Sequence, residues 1–204
     1  MTVFLVGGGP GDPGLLTLRA ESLLRGAATV VADGSVTHLA AEFAPEAELV
    51  RVSDRTAAVG TLLDAAVHGP GPVVRLYAGD TWLHPGHAAE AAALAEAGVE
   101  VEAVAGVAIE VAVPAAAGIA VHVRHLAVAC TFADASTAPP PVDATRTIVV
   151  VTDDVAATAR AMAAAGDPSL PAAGLVSGRP PVRGLLADLA AAEAGLVVVG
   201  SVTA

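Results

Sequence analysis

Cysteine is almost missing from this chain: Cys130 stands alone. That excludes an intrachain disulfide and any cluster of cysteine ligands around a metal. Lysine is missing altogether. The ten basic side chains are arginines, scattered along the sequence against 21 Asp and Glu, which gives a formal charge of −11. Nucleic-acid backbones need clustered cations, so that class of partner is excluded. The charge favours solubility, and it disfavours a polyanionic substrate unless arginines gather locally. Aromatic side chains are few, with three Phe, one Trp and one Tyr. No apolar run reaches the roughly 18 residues that span a membrane. The first residues also lack the basic region and cleavage site of a signal peptide. A cytoplasmic protein is therefore expected. What remains is a chain of 204 residues rich in Ala, Val and Gly, enough for one large or two small packed cores.

The stretch Gly7-Gly8-Gly9-Pro10-Gly11-Asp12-Pro13-Gly14-Leu15-Leu16-Thr17 follows an apolar run, Val3–Val6, and precedes apolar residues at helical spacing up to Leu24. It thus lies on a strand-to-helix turn, where open α/β sheets hold ligands. Gly9 to Gly14 fits G-x-G-x-x-G, with Asp33 about 20 residues on. The physics of a pyrophosphate site is poor, however. Such sites use backbone N–H groups at a helix start; Pro10 and Pro13 have none to give, and Asp12 adds a negative charge. The loop suits a neutral or cationic ligand, or a rigid wall.

Strands and helices alternate through the first part. Strands are predicted at Val3–Val6, Thr29–Ala32, Leu49–Val52, Val73–Leu76 and Val99–Val104, and helices at Leu15–Arg25, Thr56–His68 and Ala88–Ala97, the last stopped by Gly98. This implies a mostly parallel sheet with helices on both faces. Gly106–Ala117 reads as a helix broken near Pro114. Ala120–His125 and Leu126–Phe132 read as adjacent strands, and Ala133–Arg146, with Pro139-Pro140-Pro141, as a linker. Strands follow at Thr147–Thr152, Ala172–Ser177 and Leu196–Val202, with helices at Val155–Ala165 and Val182–Ala192. Two α/β lobes are expected, 1–118 and 119–204.

From Gly7 to Ala20 the order G-x-G-P-G-D-P-x-L-L-T-x-x-A resembles the opening signature of the tetrapyrrole methylases, with uroporphyrinogen-III C-methyltransferases most similar. The resemblance covers almost the whole chain. It implies an α/β fold of two lobes with a cofactor cleft between them, and S-adenosylmethionine as cofactor. That molecule carries a sulfonium cation and no phosphate, in agreement with the prolines and Asp12. A second family signature, a strand followed by G-G-D-P, resembles Val73 to Thr81: Gly79 and Asp80 match, Ala78 and Thr81 depart. Relatives often carry Lys where Tyr77 stands, so a basic substrate contact is expected to be gone. A third signature resembles Val104 to Ala120, keeping Gly106, Pro114 and Ala117-Gly118-Ile119, with Ala108 and Ile109 in place of small hydroxyl residues.

The resemblance therefore implies cofactor contacts at Pro10, Gly79, Asp80, Ala108, Ile109, Thr152 and Gly178, and substrate contacts at Asp12, Trp82 and Arg124. Asp33, at the end of the second strand, is the candidate catalytic carboxylate, to position substrate or help remove a proton; its alternative is a turn residue capping the next short helix. Trp82 either stacks on a flat substrate or anchors the core. His84 and His87 read as surface histidines rather than metal ligands, and no metal is expected. Arg51, Arg75, Arg124, Arg179 and Arg183 are candidates for substrate carboxylates. The resulting expectation is an S-adenosylmethionine-dependent methyltransferase acting on a carbon of uroporphyrinogen III or a related tetrapyrrole, as a homodimer. The alternatives are a same-fold enzyme with a less acidic acceptor, and a non-catalytic relative that binds a cofactor or scaffolds a complex.

Overall fold

The computed structural model describes residues 2–53, 55–83, 85–135, 145–175, 180–189 and 195–203. The chain divides into two compact units, Met1–Ile109 and Glu110–Ala204; sequence reasoning placed the division after residue 118.

Five short apolar runs of the first unit become strands: β1 (Thr2–Gly7), β2 (Thr29–Asp33), β3 (Glu48–Val52), β4 (Val73–Tyr77) and β5 (Glu100–Val104). Between them lie α1 (Leu18–Arg25), α2 (Thr37–Phe43), α3 (Arg55–His68) and α4 (Pro85–Glu96). All pairings are parallel, in the order β3-β2-β4-β1-β5. Alternate residues on the strands serve opposite faces. Val6, Val30, Ala32, Val74 and Leu76 pack on Ala20 and Leu24 of α1 and Leu39 and Ala40 of α2. Val3, Leu5, Val31, Val73 and Tyr77 pack on Ala58 and Leu62 of α3 and Leu94 of α4. Both faces of the central strands β1, β2 and β4 are covered, which is why they read as mostly apolar runs, whereas the edge strands β3 and β5 are largely exposed.

The helix ends follow from local chemistry. The expected helix start at Leu15 moves to Leu18. A 3-10 turn, Pro13–Leu15, comes first, with Asp12 Oδ1 accepting from Gly14 N at 2.8 Å. Leu16 is extended, and Thr17 Oγ1 then caps α1 by accepting from Ala20 N at 3.2 Å. Gly98 ends α4 as expected: at φ +79° it sits in the left-handed region, and Val99 N donates back to Leu94 O at 3.0 Å.

The second unit comprises α5 (Ile109–Ala116), whose first residue closes the first unit, then β6 (Ala129–Asp134), β7 (Arg146–Thr152), α6 (Val155–Ala165), β8 (Pro171–Leu175), β9 (Val182–Leu185) and β10 (Gly195–Val199). Its sheet runs β6-β7-β10-β8-β9, parallel only between β6 and β7. Ile148, Val150, Val197 and Val199 pack on Val155, Ala159 and Met162 of α6. Four expectations change here. The helix expected over 106–117 starts at Ile109 and runs through Pro114, whose missing N–H removes a single bond in the last turn. Residues 120–125 form a turn with one bridge, Val123 to Ala127, instead of a strand. Val182–Leu185 is an antiparallel strand on β8, not a helix, and is followed by a 3-10 turn at Leu186–Asp188. The last strand ends at Val199, where Gly200 adopts φ +134°. The triple-proline linker lies outside the described residues.

Candidate functional site

In the first unit the order of the strands reverses between β1 and β4. The chain leaves β1 toward α1 on one face and leaves β4 toward α4 on the other. Loops that diverge in this way place a ligand crevice at the carboxyl ends of the strands. Here the two loops are also stitched together. Gly8 N donates to Tyr77 O (2.8 Å), Gly9 N to Gly79 O (3.1 Å) and Gly79 N to Gly9 O (2.8 Å). Gly9 and Gly79 have φ of +63° and +77°, the left-handed region that glycine tolerates. The loop after β5 closes the third side. A Cβ on Gly7 would lie 2.5 Å from Gly106 N and 2.7 Å from Gly79 O, and one on Gly106 would lie 2.4 Å from Gly79 O. Gly7 and Gly106 are therefore packed backbone on backbone against each other and Gly79 O, with no room for a side chain, while Gly79 is held to glycine by its positive φ.

Asp80 fastens this junction. Its Oδ1 accepts from Trp82 N (2.8 Å) and Leu83 N (3.2 Å), and its Oδ2 from Gly106 N (3.2 Å). Thr81, which stands where relatives have Pro, is fully buried and donates to Val104 O at 2.6 Å. Five of the first loop's N–H groups are already committed: those of Gly8, Gly9, Gly14, Leu15 and Leu16 bond within the two loops, and Pro10 and Pro13 have none. These commitments weigh against the dinucleotide reading. No Arg or Lys occurs between Gly7 and Thr17 or between Tyr77 and Leu83, whereas Asp12 and Asp80 lie there. A phosphate-free, cationic ligand fits this donor set.

Asp33 does not cap the following turn. Its Oδ1 accepts from Arg75 Nη2 (2.6 Å) and its Oδ2 from Ala78 N (3.0 Å), so the carboxylate holds the start of the Ala78-Gly79-Asp80 loop. Beneath it lies a buried polar cluster. Arg75 Nε donates to Glu90 Oε2 (2.9 Å), its Nη1 to Leu76 O (3.0 Å) and Val31 O (3.4 Å), and its Nη2 also reaches Glu90 Oε1 (3.4 Å). Tyr77 Oη donates to Glu90 Oε2 (3.0 Å). The Arg75 guanidinium lies over the Tyr77 ring, with its carbon 4.2 Å from the ring centre, and His87 stacks on Tyr77 at 3.9 Å between centroids. Burial works against the Arg75 charge, yet the bonds to and charges of Glu90 and Asp33 outweigh it and raise its pKa. Burial first, then the Glu90 charge, pushes the Tyr77 phenol far above its ordinary value, so it stays a donor.

This cluster corrects three expectations. Arg75 is buried and fully engaged, so it does not meet substrate carboxylates. Position 77 faces α3 and α4, so replacing Lys by Tyr there removes no substrate contact. His87 is 6% exposed rather than on the surface, and its ring bonds Thr81 O at 3.1 Å. Glu90, the anion at the centre of the cluster, was not singled out in the sequence. Its only signal is its place on α4 behind the Gly-Asp loop.

Pro10, Asp12, Asp33, Gly79, Asp80, Trp82, Ala108 and Ile109 all gather at this end of the sheet. Asp12 is exposed and caps its own turn. Trp82 is 51% exposed, which rules out the core-anchor reading. Ile109 side-chain carbon would meet a Cβ on Gly79 at 3.3 Å, so it lines the left-handed glycine; Ala108 beside it is half-buried. In the second unit, the Thr152 hydroxyl is used locally, bonding Asp154 O (3.1 Å), Asp154 N (3.0 Å) and Thr158 Oγ1 (2.7 Å). Arg124 is exposed on the 123–127 turn. Arg183 bonds Thr203 O and Ala117 O. Gly178, with Arg179 and His84, lies outside the described residues.

Comparison with known proteins agrees with this geometry. The family model of the tetrapyrrole (corrin/porphyrin) methylases matches residues 2–178. The chain is 38% identical over 113 residues to the uroporphyrinogen-III C-methyltransferase of Synechocystis, a match spanning 52% of this chain and 43% of that protein. It is 40% identical over 113 residues to the Pseudomonas aeruginosa enzyme of the same name, across 46% of its length. The matched part thus spans less than half the length of these curated relatives. Among solved structures, a uroporphyrin-III C-methyltransferase from Thermus thermophilus superposes with a TM-score of 0.83 at 30% identity, covering 99% of this chain and 93% of that one. A second Thermus structure, complexed with S-adenosylhomocysteine, gives 0.83 at 29% identity, covering 99% and 98%. With two α/β units, its glycine junction at the strand reversal, and a family match over most of its length, the chain belongs to the tetrapyrrole methylase family.

Proposed function

We propose that this protein is an S-adenosylmethionine-dependent methyltransferase whose acceptor is a carbon of uroporphyrinogen III or a closely related tetrapyrrole. The observation that carries the reading is the donor census at the strand reversal: a glycine junction built for close approach, with five of its loop N–H groups spent internally, two prolines that have none, and no side-chain cation. Such a site rejects phosphates and accepts a sulfonium ligand. The names of the relatives in sequence, and the homocysteine-containing ligand of the Thermus neighbour, support it.

When bound, S-adenosylmethionine supplies an electrophilic methyl group: its carbon–sulfur bond breaks as the bond to the ring carbon forms from the ring's electrons, and the ring system then gives up a proton. The chain's task is mostly orientation. The left-handed Gly79 and the clamped Asp80 give the loop one shape, and Pro10 stiffens the loop opposite. Ala108 and Ile109 offer an apolar wall. Asp33 fixes the Ala78 amide, and through it the loop. Asp12 and the exposed Trp82 ring stand where an acceptor would approach. A cytoplasmic homodimer goes with this reading.

Calorimetric titration with S-adenosylmethionine and S-adenosylhomocysteine tests it. One-to-one binding of both is expected. A folded protein that binds neither refutes the enzyme reading.

A further inference from the structure

Arg51 sits near the end of the edge strand β3, opposite Ala32 in register, and its side chain is exposed. The other described arginine side chains of the first unit are all paired: Arg19 with Glu102, Arg25 with Glu21, and Arg75 with Asp33 and Glu90. Arg51 has no carboxylate partner among the described residues, in a chain that carries 21 acidic residues against ten arginines. Its guanidinium lies close over Gly34. A Cβ on Gly34 would lie 2.7 Å from Nε, 2.7 Å from Nη2 and 3.0 Å from Cζ, so the flat guanidinium rests against the glycine backbone. Gly34 does not have positive φ. The chain path does not require glycine there; a side chain at position 34 would instead push the guanidinium away from this spot.

The seat adjoins the glycine loop. Ser35 O, one residue on, lies 3.7 Å from where a Cβ on Gly11 would be, and His38 Nε2 bonds Gly11 O at 2.6 Å. Gly34 directly follows Asp33, whose carboxylate anchors the Ala78 loop. Arg51 therefore stands at the rim of the proposed methyl-transfer site, exposed to solvent, with no hydrogen-bond or ion-pair partner among the described residues.

We propose that Arg51, seated on Gly34, is a specificity residue that takes a carboxylate of the acceptor. This rests on the methyltransferase reading for its reaction, but not for the binding itself. A guanidinium is planar and always charged, and it matches a carboxylate with two parallel bonds. A net charge of −11 repels a polycarboxylate at long range, so one cation at the rim decides local affinity.

The test uses uroporphyrin III, the stable oxidised form of the acceptor, with binding read by fluorescence quenching, alongside S-adenosylhomocysteine binding and thermal unfolding. Arg51→Leu should weaken uroporphyrin binding about tenfold, the worth of one partly solvated charged pair. It should leave homocysteine-ligand binding and the melting temperature unchanged. Arg51→Lys should recover part of the loss. Gly34→Ala should weaken uroporphyrin binding by unseating the guanidinium, and the double variant should bind no worse than Arg51→Leu alone. Additive losses, or an Arg51→Leu protein that binds within about twofold of the wild type, would overturn the proposal, as would a wild type that does not bind uroporphyrin at all. Wild-type protein that binds uroporphyrin through Arg51 but not S-adenosylhomocysteine would instead overturn the methyltransferase reading and leave this site standing.

Discussion

Removing Glu90 should unfold the first unit more easily than any other single polar change among its described side chains. Arg75 and Glu90 have side-chain exposures of 3% and 1%. The guanidinium carries five N–H groups, and five bonds to Glu90, Asp33, Val31 and Leu76 receive them. In Glu90→Leu the Nε donor loses its acceptor, Tyr77 Oη loses its partner, and a buried cation is left to Asp33 alone. Breaking a buried pair from one side costs about 3–5 kcal/mol. Glu90→Gln keeps an oxygen in place and loses only the charge, so about 1–2 kcal/mol is expected. Tyr77→Phe forfeits one buried hydrogen bond, about 1 kcal/mol. Urea unfolding followed by Trp82 fluorescence reports on this unit, because Trp82 is the single tryptophan and lies in the loop that the cluster supports. With a slope of about 2 kcal/mol per molar, the Glu90→Leu midpoint should fall by about 1.5–2.5 M. Adding Tyr77→Phe to Glu90→Leu should cost almost nothing more, since the phenol has already lost its partner. A Glu90→Leu midpoint within about 0.3 M of the wild type would refute the reasoning, for it would mean that the cluster is not the buried network described.

Gly106→Ala should destabilise the protein by about 2–3 kcal/mol and weaken S-adenosylhomocysteine binding, because its Cβ would lie 2.4 Å from Gly79 O and 2.7 Å from Gly7 O, backbone atoms that cannot step aside; unchanged melting and binding would sink the packed-glycine account. Cys130 is half-buried, and burial pushes its thiol pKa up, so at pH 8 less thiolate is present than in a free cysteine and its alkylation in the folded protein should be several-fold slower than in urea; equal rates in the two states would contradict this.

The first unit was legible in sequence because its central strands β1, β2 and β4 are largely buried and its turns are marked. Runs such as Val73–Tyr77 stay apolar without interruption, apart from Arg75, and Gly98 or Thr17 marks a helix boundary. The second unit was less legible where its sheet turns antiparallel. Val182, Leu185, Leu186 and Leu189 have the spacing of a helix stripe. In the fold, however, Val182 and Leu185 lie exposed on an edge strand, while Leu186 and Leu189 reach the α6 core from the turn beyond it. Spacing cannot separate these cases, because which residues share a face there depends on pairing with β8.

At the site, the signature revealed the place but not the division of labour. Arginines are mostly exposed, so Arg75 reads as a substrate contact; only the alternation of β4 shows that it is enclosed. Tyr77 and His87 are ten residues apart in sequence and touch only because α4 folds back across the strand that precedes it. The glycines show the same limit from the other side. A glycine motif suggests backbone laid bare for a ligand, yet Gly7 and Gly106 are required by one another and by Gly79 O. Their first task is to let three strand ends meet at backbone contact. Closeness to a ligand follows from that meeting, because it is there that the left-handed Gly79 and the clamped Asp80 are held in a single conformation. Losing either packed glycine should therefore damage stability and ligand binding together. Losing Arg51, which stands outside the junction, should separate them.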